Sequence, residues 1–406
     1  MASSASVTVV GGGPHGLLVA LALARSDIEV TLLEAQSSEP SSSPRAMMFH
    51  WSMLGGLDRL GVLDDAVARG LVHRRWSIYV LATGERLYFD LDVLADDVQH
   101  PFTLHLPQQT LAEIVIARLA ALPNVHVEWD TRVQRVEQDA DGCTVTADAP
   151  GGERSYRSDW VVGADGVHSM VRRSAGLGLP GITWPERFVA TNVRFDFASL
   201  GHELSGVQLD AQDGALVAKV DDSGLWRYTY AEDLALPEET LGERMRDRFR
   251  RVLPDGVDVE VEAYGAHRMH QRVADRFRAG RLLLIGDAAH VTSPSAGYGL
   301  PGGFFDGMTL VEALREVIHF GADEEILDRF SEERRRVFTN LTSPVSSEHK
   351  QMLWNSEGPG RIEAEVERFR HITASPSRQR QFLLVGRGLQ SAPLRSMRKV
   401  GATEPG

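Results

Sequence analysis

The chain has 406 residues, 43% of them hydrophobic, and a formal net charge of −13. That length points to two or three lobes with a sizeable core, and the acidic balance, without a basic stripe or a run of like charge, argues against nucleic acid as a partner. Cys143 is the only cysteine, which excludes an intrachain disulfide, a Cys-x-x-Cys redox pair and a thiolate zinc cage. The opening MASSASVTVV carries no basic segment and no long apolar stretch, and apolar runs such as residues 17–24 are far short of a membrane span. The expectation is a cytoplasmic protein with no membrane partner.

Residues 7–10 read as a short buried strand, 11–16 (GGGPHG) as a turn, 17–25 as an Ala/Leu-rich helix and 29–34 as a second buried strand. This is a βαβ opening. A Ser/Pro-rich loop follows over 37–44, and the spacing of Leu54, Leu57, Leu60 and Val67 predicts one helix over 53–70. Residues 76–91 alternate like antiparallel strands, 111–122 read as a helix and 125–129 as the strand after it. Residues 132–147 form a hairpin pattern turning at Asp141-Gly142, and 159–166 return to a buried strand and turn. From about 188 to 264 the pattern becomes alternating and aromatic-bearing, an inserted β-sheet with a helix at 244–252 beside it. Residues 281–287 resume the buried-strand style, a helix opens over 302–314 with Pro301 at its first turn, and the tail from 308 is mostly helical and charged.

Two segments about 270 residues apart carry phosphate-binding chemistry. Gly11-x-Gly13-x-x-Gly16 lies between a strand and a helix. There Gly11 makes the turn, Gly13 lets backbone approach a pyrophosphate and Gly16 allows close helix–strand packing. Glu34, 18 residues after Gly16, ends the second strand, where a carboxylate accepts bonds from ribose hydroxyls. A glycine-rich turn without a ligand is the plain alternative, but strand, helix and acid all stand at the expected distances. In the second segment the apolar run 282–285 ends in Gly286-Asp287, and Pro294, Gly297 and Gly299 then tighten the chain ahead of a helix. Asp287 at a strand end suits flavin ribityl hydroxyls or a helix cap. The helix N-terminus suits negative charge on a reduced flavin ring. His290 reads as a base or, more ordinarily, as a packing residue.

With these motifs the chain resembles the single-component, FAD-dependent aromatic hydroxylases of the p-hydroxybenzoate hydroxylase type. The resemblance covers roughly residues 5–340. Three motifs carry it in order: GxGxxG with Glu34, the DG motif from Gly163 to Arg172 (GADGVHSMVR), and GDAAHxxxPxxGxGxxxGxxD from Gly286 to Asp306. Arg272 and Ala274 fit the run-in to the third. The resemblance implies FAD contacts at Gly11, Gly13, Pro14, Gly16, Glu34, Ala35, Arg45, Gln108, Val133, Asp165, Asp287, Gly299 and Leu300. Gln109 is the one-residue alternative to Gln108, and Val133 is implied as a backbone contact to adenine. Pro294 is implied at the edge shared by flavin and substrate, and Arg172 near the pyrophosphate channel. It also implies NADPH or NADH as a transient cosubstrate, O2, and hydroxylation of an aromatic or heteroaromatic small molecule through a flavin C4a-hydroperoxide. The implied protein is a monomer or homodimer. The implied fold is α/β: a Rossmann-like FAD-binding domain (1–72, 101–180 and 265–330), an inserted antiparallel β-sheet substrate domain (73–100 and 181–264) and a helical C-terminal region (331–406).

Two departures stand out. The family usually has Asn where this chain has Pro301, which has no N–H to offer. The Arg and Glu often found on the helix after Arg45 are replaced by the stretch HWSMLGG from residue 50. On the substrate side, Trp226, Arg227, Tyr228 and Tyr230 alternate along one strand, so only one parity faces the cavity; His73, Trp76 and Tyr79 are further lining candidates. Related flavin chemistry (Baeyer–Villiger, epoxidation or dehydrogenation) is the alternative activity. A non-catalytic flavin-fold binding protein is the alternative class. The Trp-x-Trp-x-Ile-Pro signature of tryptophan-type halogenases is absent.

Overall fold

A computed structural model of the chain describes residues 5–38, 47–354 and 359–394. Arg45 lies outside the described residues. A six-stranded sheet forms the first layer, in the order Arg278–Ala279, Leu282–Leu284, Trp160–Gly163, Ser6–Val10, Glu29–Leu33 and Val125–Glu128. Ser6–Val10 runs parallel to both neighbours, with Val9 opposite Val162 on one side and Leu32 on the other. Parallel strands are covered on both faces, which is why these read as continuous apolar runs. The helix Pro14–Ala24 covers this sheet and is buried from Gly16 to Ala24, and the helix Gly299–Phe320 packs against that helix.

The second large element is an eight-stranded sheet. Its order is His290–Val291, Glu260–Val273, Gly181–Arg194, Leu225–Asp233, Ala215–Lys219, Ser205–Leu209, Arg75–Val80 and Glu85–Asp90. Two small sheets complete the strands of the described residues. One runs Gly152–Ser158, Cys143–Ala149 and Arg132–Gln138; the other runs Met48–Phe49, Thr103–His105 and Leu71–His73. The α/β class, the inserted sheet and the helical C-terminal region all follow the sequence reading.

Local differences have local causes. The single helix expected over 53–70 is two helices, Trp51–Arg59 and Leu63–Arg69. Gly61 between them adopts φ +58°, a conformation that ends a helical turn at no steric cost. The hairpin of 132–147 gains a third strand, Gly152–Ser158, whose residues are mostly exposed and carry no buried apolar stripe for a sequence pattern to register. The helix expected from 302 begins at Gly299 and runs to Phe320, where Gly321 closes it at φ +64°.

Tyr parity is settled by packing. Trp226, Tyr228 and Tyr230 share a core with Phe197, Met245 and Phe249, so they face the helix Leu241–Val252. The opposite parity, Leu225, Arg227 and Thr229, faces away from that helix. Leu225 packs there with Met47 and Val220, and Arg227 Nε donates to Asn192 Oδ1 at 3.0 Å.

Candidate active site

The three sequence motifs meet around His15. Its Nε2 contacts the Leu300 carbonyl oxygen at 3.0 Å, and because that oxygen only accepts, Nε2 carries the proton. The same ring fills the space that a Cβ would need at Gly286 and at Gly303. Gly11 leaves the first strand at φ +105°, where a Cβ would meet the Ala164 carbonyl, and a Cβ at Gly16 would collide with the Gly11 carbonyl oxygen. Ile285 N–H donates to the Gly163 carbonyl at 3.1 Å. GxGxxG, the DG motif and GDAAH are therefore in direct mutual contact.

Gly13 differs from its neighbours. It is extended (φ −69°, ψ 176°), and nothing lies within 4 Å of the Cβ it lacks. That open side, at the N-terminus of the helix Pro14–Ala24, is where backbone can approach a pyrophosphate. Glu34 accepts from Gly12 N–H through Oε2 and from Gln36 N–H through Oε1. Its remaining lone pairs are the ones left for ribose hydroxyls.

Asp165 uses one oxygen to cap the helix Met170–Ser174, accepting from Met170 N–H at 2.6 Å and Val171 N–H at 3.2 Å. Its other oxygen is buried without a partner, and burial pushes the carboxyl up from its ordinary range. A buried, unpaired carboxylate oxygen is costly unless a ligand completes it. Arg172, by contrast, spends its guanidinium on two carbonyls, Ala288 at 2.9 Å and Val167 at 2.8 Å. It staples the DG motif to GDAAH.

Asp287 is exposed at its strand end and takes no partner among the described residues. Pro294 opens a short turn capped by Ser293, and the Gln271 amide fixes the approach to it, accepting from Thr292 Oγ1 and Ser293 N–H and donating to Ser343 Oγ at 2.7 Å. Pro301 removes one donor from the first turn of Gly299–Phe320, and Gly302 N–H already bonds to the Tyr298 carbonyl. Gly299 and Leu300 are left as the N–H donors at that end. Gln109 bonds Glu113 on its own helix, whereas Gln108 is half-buried with no partner among the described residues. Val133 lies on the edge strand of its sheet, beside a groove of about 360 Å³ that Ala35, Arg132 and Asp148 line.

His290 is a structural residue. It is buried, stacks on Phe338 and bonds Asp306 Oδ2 at 2.6 Å. Arg334 Nε bonds Asp306 Oδ1 at 2.8 Å, and its remaining nitrogens reach the Leu389 and Gly302 carbonyls and Ser391 Oγ. Burial pulls Asp306 up, but the charges of His290 and Arg334 and their hydrogen bonds outweigh it and hold the carboxyl below the usual carboxylate range.

The remaining candidates fall apart by position. Trp76 stacks on Phe89 at 4.1 Å, inside the core that the C-terminal helices cover. Tyr79 points the other way, to His202 and Arg86. His73 meets a residue the sequence reading passed over, His105, at 2.9 Å between Nε2 atoms. His15, His105 and Gln271 were all missed. Only His15 carried a signal, its place inside the first motif.

The arrangement fits a dinucleotide flavin: an open glycine at a helix start, a partnerless buried carboxylate oxygen, an exposed strand-end carboxylate and a second helix N-terminus converge on one region. The chain matches the FAD binding domain family over residues 4–344 and belongs to it. It is a flavin-dependent monooxygenase, an oxidoreductase that acts on aromatic rings. It is 42% identical to 6-hydroxy-3-succinoylpyridine 3-monooxygenase of Pseudomonas putida, covering 94% of this chain and 100% of that one. To para-nitrophenol 4-monooxygenase of a Pseudomonas species it is 39% identical, over 93% and 94% of the two chains. The crystal structure of p-nitrophenol 4-monooxygenase from Pseudomonas putida superimposes with a TM-score of 0.91 at 38% identity, over 95% of this chain and 98% of that one.

Proposed function

We propose that this chain hydroxylates a phenol or hydroxypyridine at the ring carbon para to the hydroxyl, where the ring already bears a substituent, and expels that substituent. The two relatives carry the reading. Their names put the incoming oxygen at position 3 of a 6-hydroxy-3-succinoylpyridine and at position 4 of para-nitrophenol. In both, the oxygenated carbon is already substituted and stands para to the hydroxyl. For a nitrophenol the balance is one O2 and one NAD(P)H. One oxygen atom bonds to the ring and the other leaves as water, while the C–N bond breaks with its electron pair going to nitrite and the ring hydroxyl becoming a quinone carbonyl.

Bound FAD supplies the oxygen-activating redox chemistry, with NADPH or NADH as the transient reductant. In this reading Gly11, Gly13, Pro14 and Gly16 seat the pyrophosphate, Glu34 and Ala35 the adenosine ribose, Val133 the adenine, Asp287 the ribityl chain and Gln108 a further part of the flavin. Asp165 completes its buried oxygen against the cofactor. Gly299 and Leu300 direct their N–H groups at the flavin's pyrimidine edge, and Pro294 lies where flavin and substrate meet. Arg227, positioned by Asn192, is the cation on the substrate-facing side of the large sheet and suits an ionised ring hydroxyl.

The FAD-binding part takes in 1–72, 101–180 and 265–330, the substrate lobe 73–100 and 181–264, and the C-terminal part begins at 331. The strand Glu260–Val273 runs through one of these boundaries and ties the two lobes together. None of the described helices is long and apolar enough to cross a membrane, and we place the enzyme in the cytoplasm.

The test is anaerobic reduction with NADPH and with NADH, with and without 4-nitrophenol, followed by exposure to air. Faster flavin bleaching in the presence of the phenol and release of nitrite are expected. A product heavier by one oxygen that keeps its nitro group would preserve the hydroxylase and overturn the displacement.

A further inference from the structure

We infer that Gln271 is a positioning residue for oxygen insertion: with the helix Ser343–Trp354 it registers the turn that carries Pro294 against the substrate lobe, so that NAD(P)H oxidation stays coupled to attack on the ring. The inference rests on the reading above, which puts that turn where flavin and substrate meet, but the bonds are independent of it. Gln271 is buried on the long strand Glu260–Val273. Its Oε1 accepts from Thr292 Oγ1 at 3.0 Å and from Ser293 N–H at 3.3 Å. Its Nε2 donates to Ser343 Oγ at 2.7 Å and to the Ser343 carbonyl at 3.3 Å. A backbone N–H only donates and a carbonyl only accepts, so both ends of the amide are fixed. Glutamate in its place loses the donor toward the carbonyl, and methionine loses both ends.

The turn has a second tie to the same helix. Ser295 Oγ donates to the Ser346 carbonyl at 2.9 Å, and Ser293 Oγ lies 3.0 Å from Ser295 Oγ. Ser293, Ser295 and Ser346 are all buried, so a lost partner leaves a polar atom unpaired. Met269, two residues before Gln271 and on the same face of its strand, brings its Sδ to 3.9 Å from Ser293 Oγ. Past Gly297 the chain leads directly into Gly299 and Leu300 at the start of the next helix. A shift of the turn therefore moves Pro294 and those two N–H groups together.

The other end of the helix Ser343–Trp354 stands on the substrate lobe. The buried Lys350 Nζ bonds Glu186 Oε2 at 2.5 Å and lies 4.2 Å from the centre of the Trp184 ring. Trp354 Nε1 donates to the Gly214 carbonyl at 3.2 Å, and the Leu353 carbonyl fills the place of a Cβ at Gly214. A π-helical turn, Phe338–Thr342, separates this helix from Glu325–Val337, whose Arg334 holds Asp306. The helix is thus a strut between the substrate lobe and the Pro294 turn, and Gln271 is its joint.

The experiment compares the FAD-loaded parent with Gln271→Met, Ser343→Ala and the double variant, each checked for retained flavin and for its unfolding midpoint. Two readouts need no substrate: hydrogen exchange at the Ser293 amide and the flavin midpoint potential. The third is product formed per NAD(P)H consumed, with 4-nitrophenol as the probe. In Gln271→Met the Ser293 amide should exchange about tenfold faster, and the potential should fall. Product per NAD(P)H should drop about tenfold while the KM for 4-nitrophenol changes less than about twofold. Ser343→Ala should show the same changes more weakly. The double variant should be no worse than Gln271→Met alone, since the two side chains act as one tie. Cutting the far anchor, with Glu186→Gln and Lys350→Met together, should also lower product per NAD(P)H. Faster Ser293 exchange with potential and yield unchanged overturns the positioning role, and so does an additive loss in the double variant. An unchanged yield in the far-anchor variant overturns the strut. Should Gln271→Met lose its flavin, Ser343→Ala, which keeps both bonds to the turn, carries the comparison. If 4-nitrophenol neither speeds flavin bleaching nor yields product in the parent, the phenol reading falls, and exchange together with potential decides the role of Gln271.

Discussion

At the residue scale, the chain separates glycines whose space is filled from one whose side is open, which the proposed reading assigns to the cofactor. Gly11 and Gly16 have no room for a methyl group, whereas Gly13 has nothing within 4 Å of its missing Cβ and an ordinary extended backbone. Gly13→Ala should leave the apoprotein's stability within about 1 kcal/mol of the parent, since alanine adopts that conformation without strain. FAD affinity should fall more than tenfold, a loss above about 1.4 kcal/mol. Thermal unfolding of the apoprotein and flavin titration separate the two effects; equal losses in both would contradict the assignment. Asp306 behaves oppositely, as a buried charge held by His290 and Arg334. Asp306→Asn leaves Arg334 without its anion and should cost about 3–5 kcal/mol in denaturant unfolding. Because its folded pKa is depressed, the carboxylate's contribution is complete above the ordinary range of about pH 4. It drains as pH falls through the lower folded value. The parent should therefore lose stability on acidification, and the Asn variant should lose less of it.

At the element scale, Pro301 sets what the helix Gly299–Phe320 can offer. Its first turn is well suited to proline, so the helix forms, but one N–H is missing. Pro301→Asn restores it. A hydrogen bond to a charged group is worth about 1.5–3 kcal/mol, which for a two-electron couple is about 30–60 mV. The flavin midpoint potential should rise by that order; an unmoved potential would show that this end of the helix is not aimed at the reduced ring. The elements themselves were largely legible in sequence, because parallel strands and the first helix write continuous apolar runs. What sequence did not show has the same physical root in each case. Gly61 splits a helix whose periodicity continues across it, and Gly152–Ser158 is a mostly exposed strand with no apolar stripe. The parity of Trp226, Tyr228 and Tyr230 was open because strand alternation gives two faces and does not say which the helix Leu241–Val252 will cover.

At the scale of the whole molecule, the cofactor region is held from the far end of the chain. Arg334 joins Asp306 to the Leu389 carbonyl and Ser391, and Gly386 lies against His50 and Trp51. Burial there lowers His50 to about 4, so it remains neutral at physiological pH. Ligand removal should therefore be felt globally. Stripping FAD should lower the melting temperature, and adding it back at about a hundredfold over its Kd should return about 2.7 kcal/mol. A melting temperature indifferent to FAD concentration would contradict a cofactor site tied to the C-terminal end of the chain by these contacts. The motifs were legible in sequence, but His73 with His105 and Gln271 with Thr292 are meetings of distant segments, and no local pattern announces them.

The order of strands in the six-stranded sheet has a consequence for the protein's birth. Ser6–Val10 is made well before Trp160–Gly163, the strand it needs beside it, and that strand in turn needs Leu282–Leu284. His15 then waits for Gly303 to close around it. At about 5–20 residues per second, the apolar N-terminal βαβ stands incomplete for roughly 15–55 seconds of translation. The nascent chain should depend on holding chaperones through that interval, and slowing codons placed before residue 303 should lower the soluble yield, while the same codons after it should not.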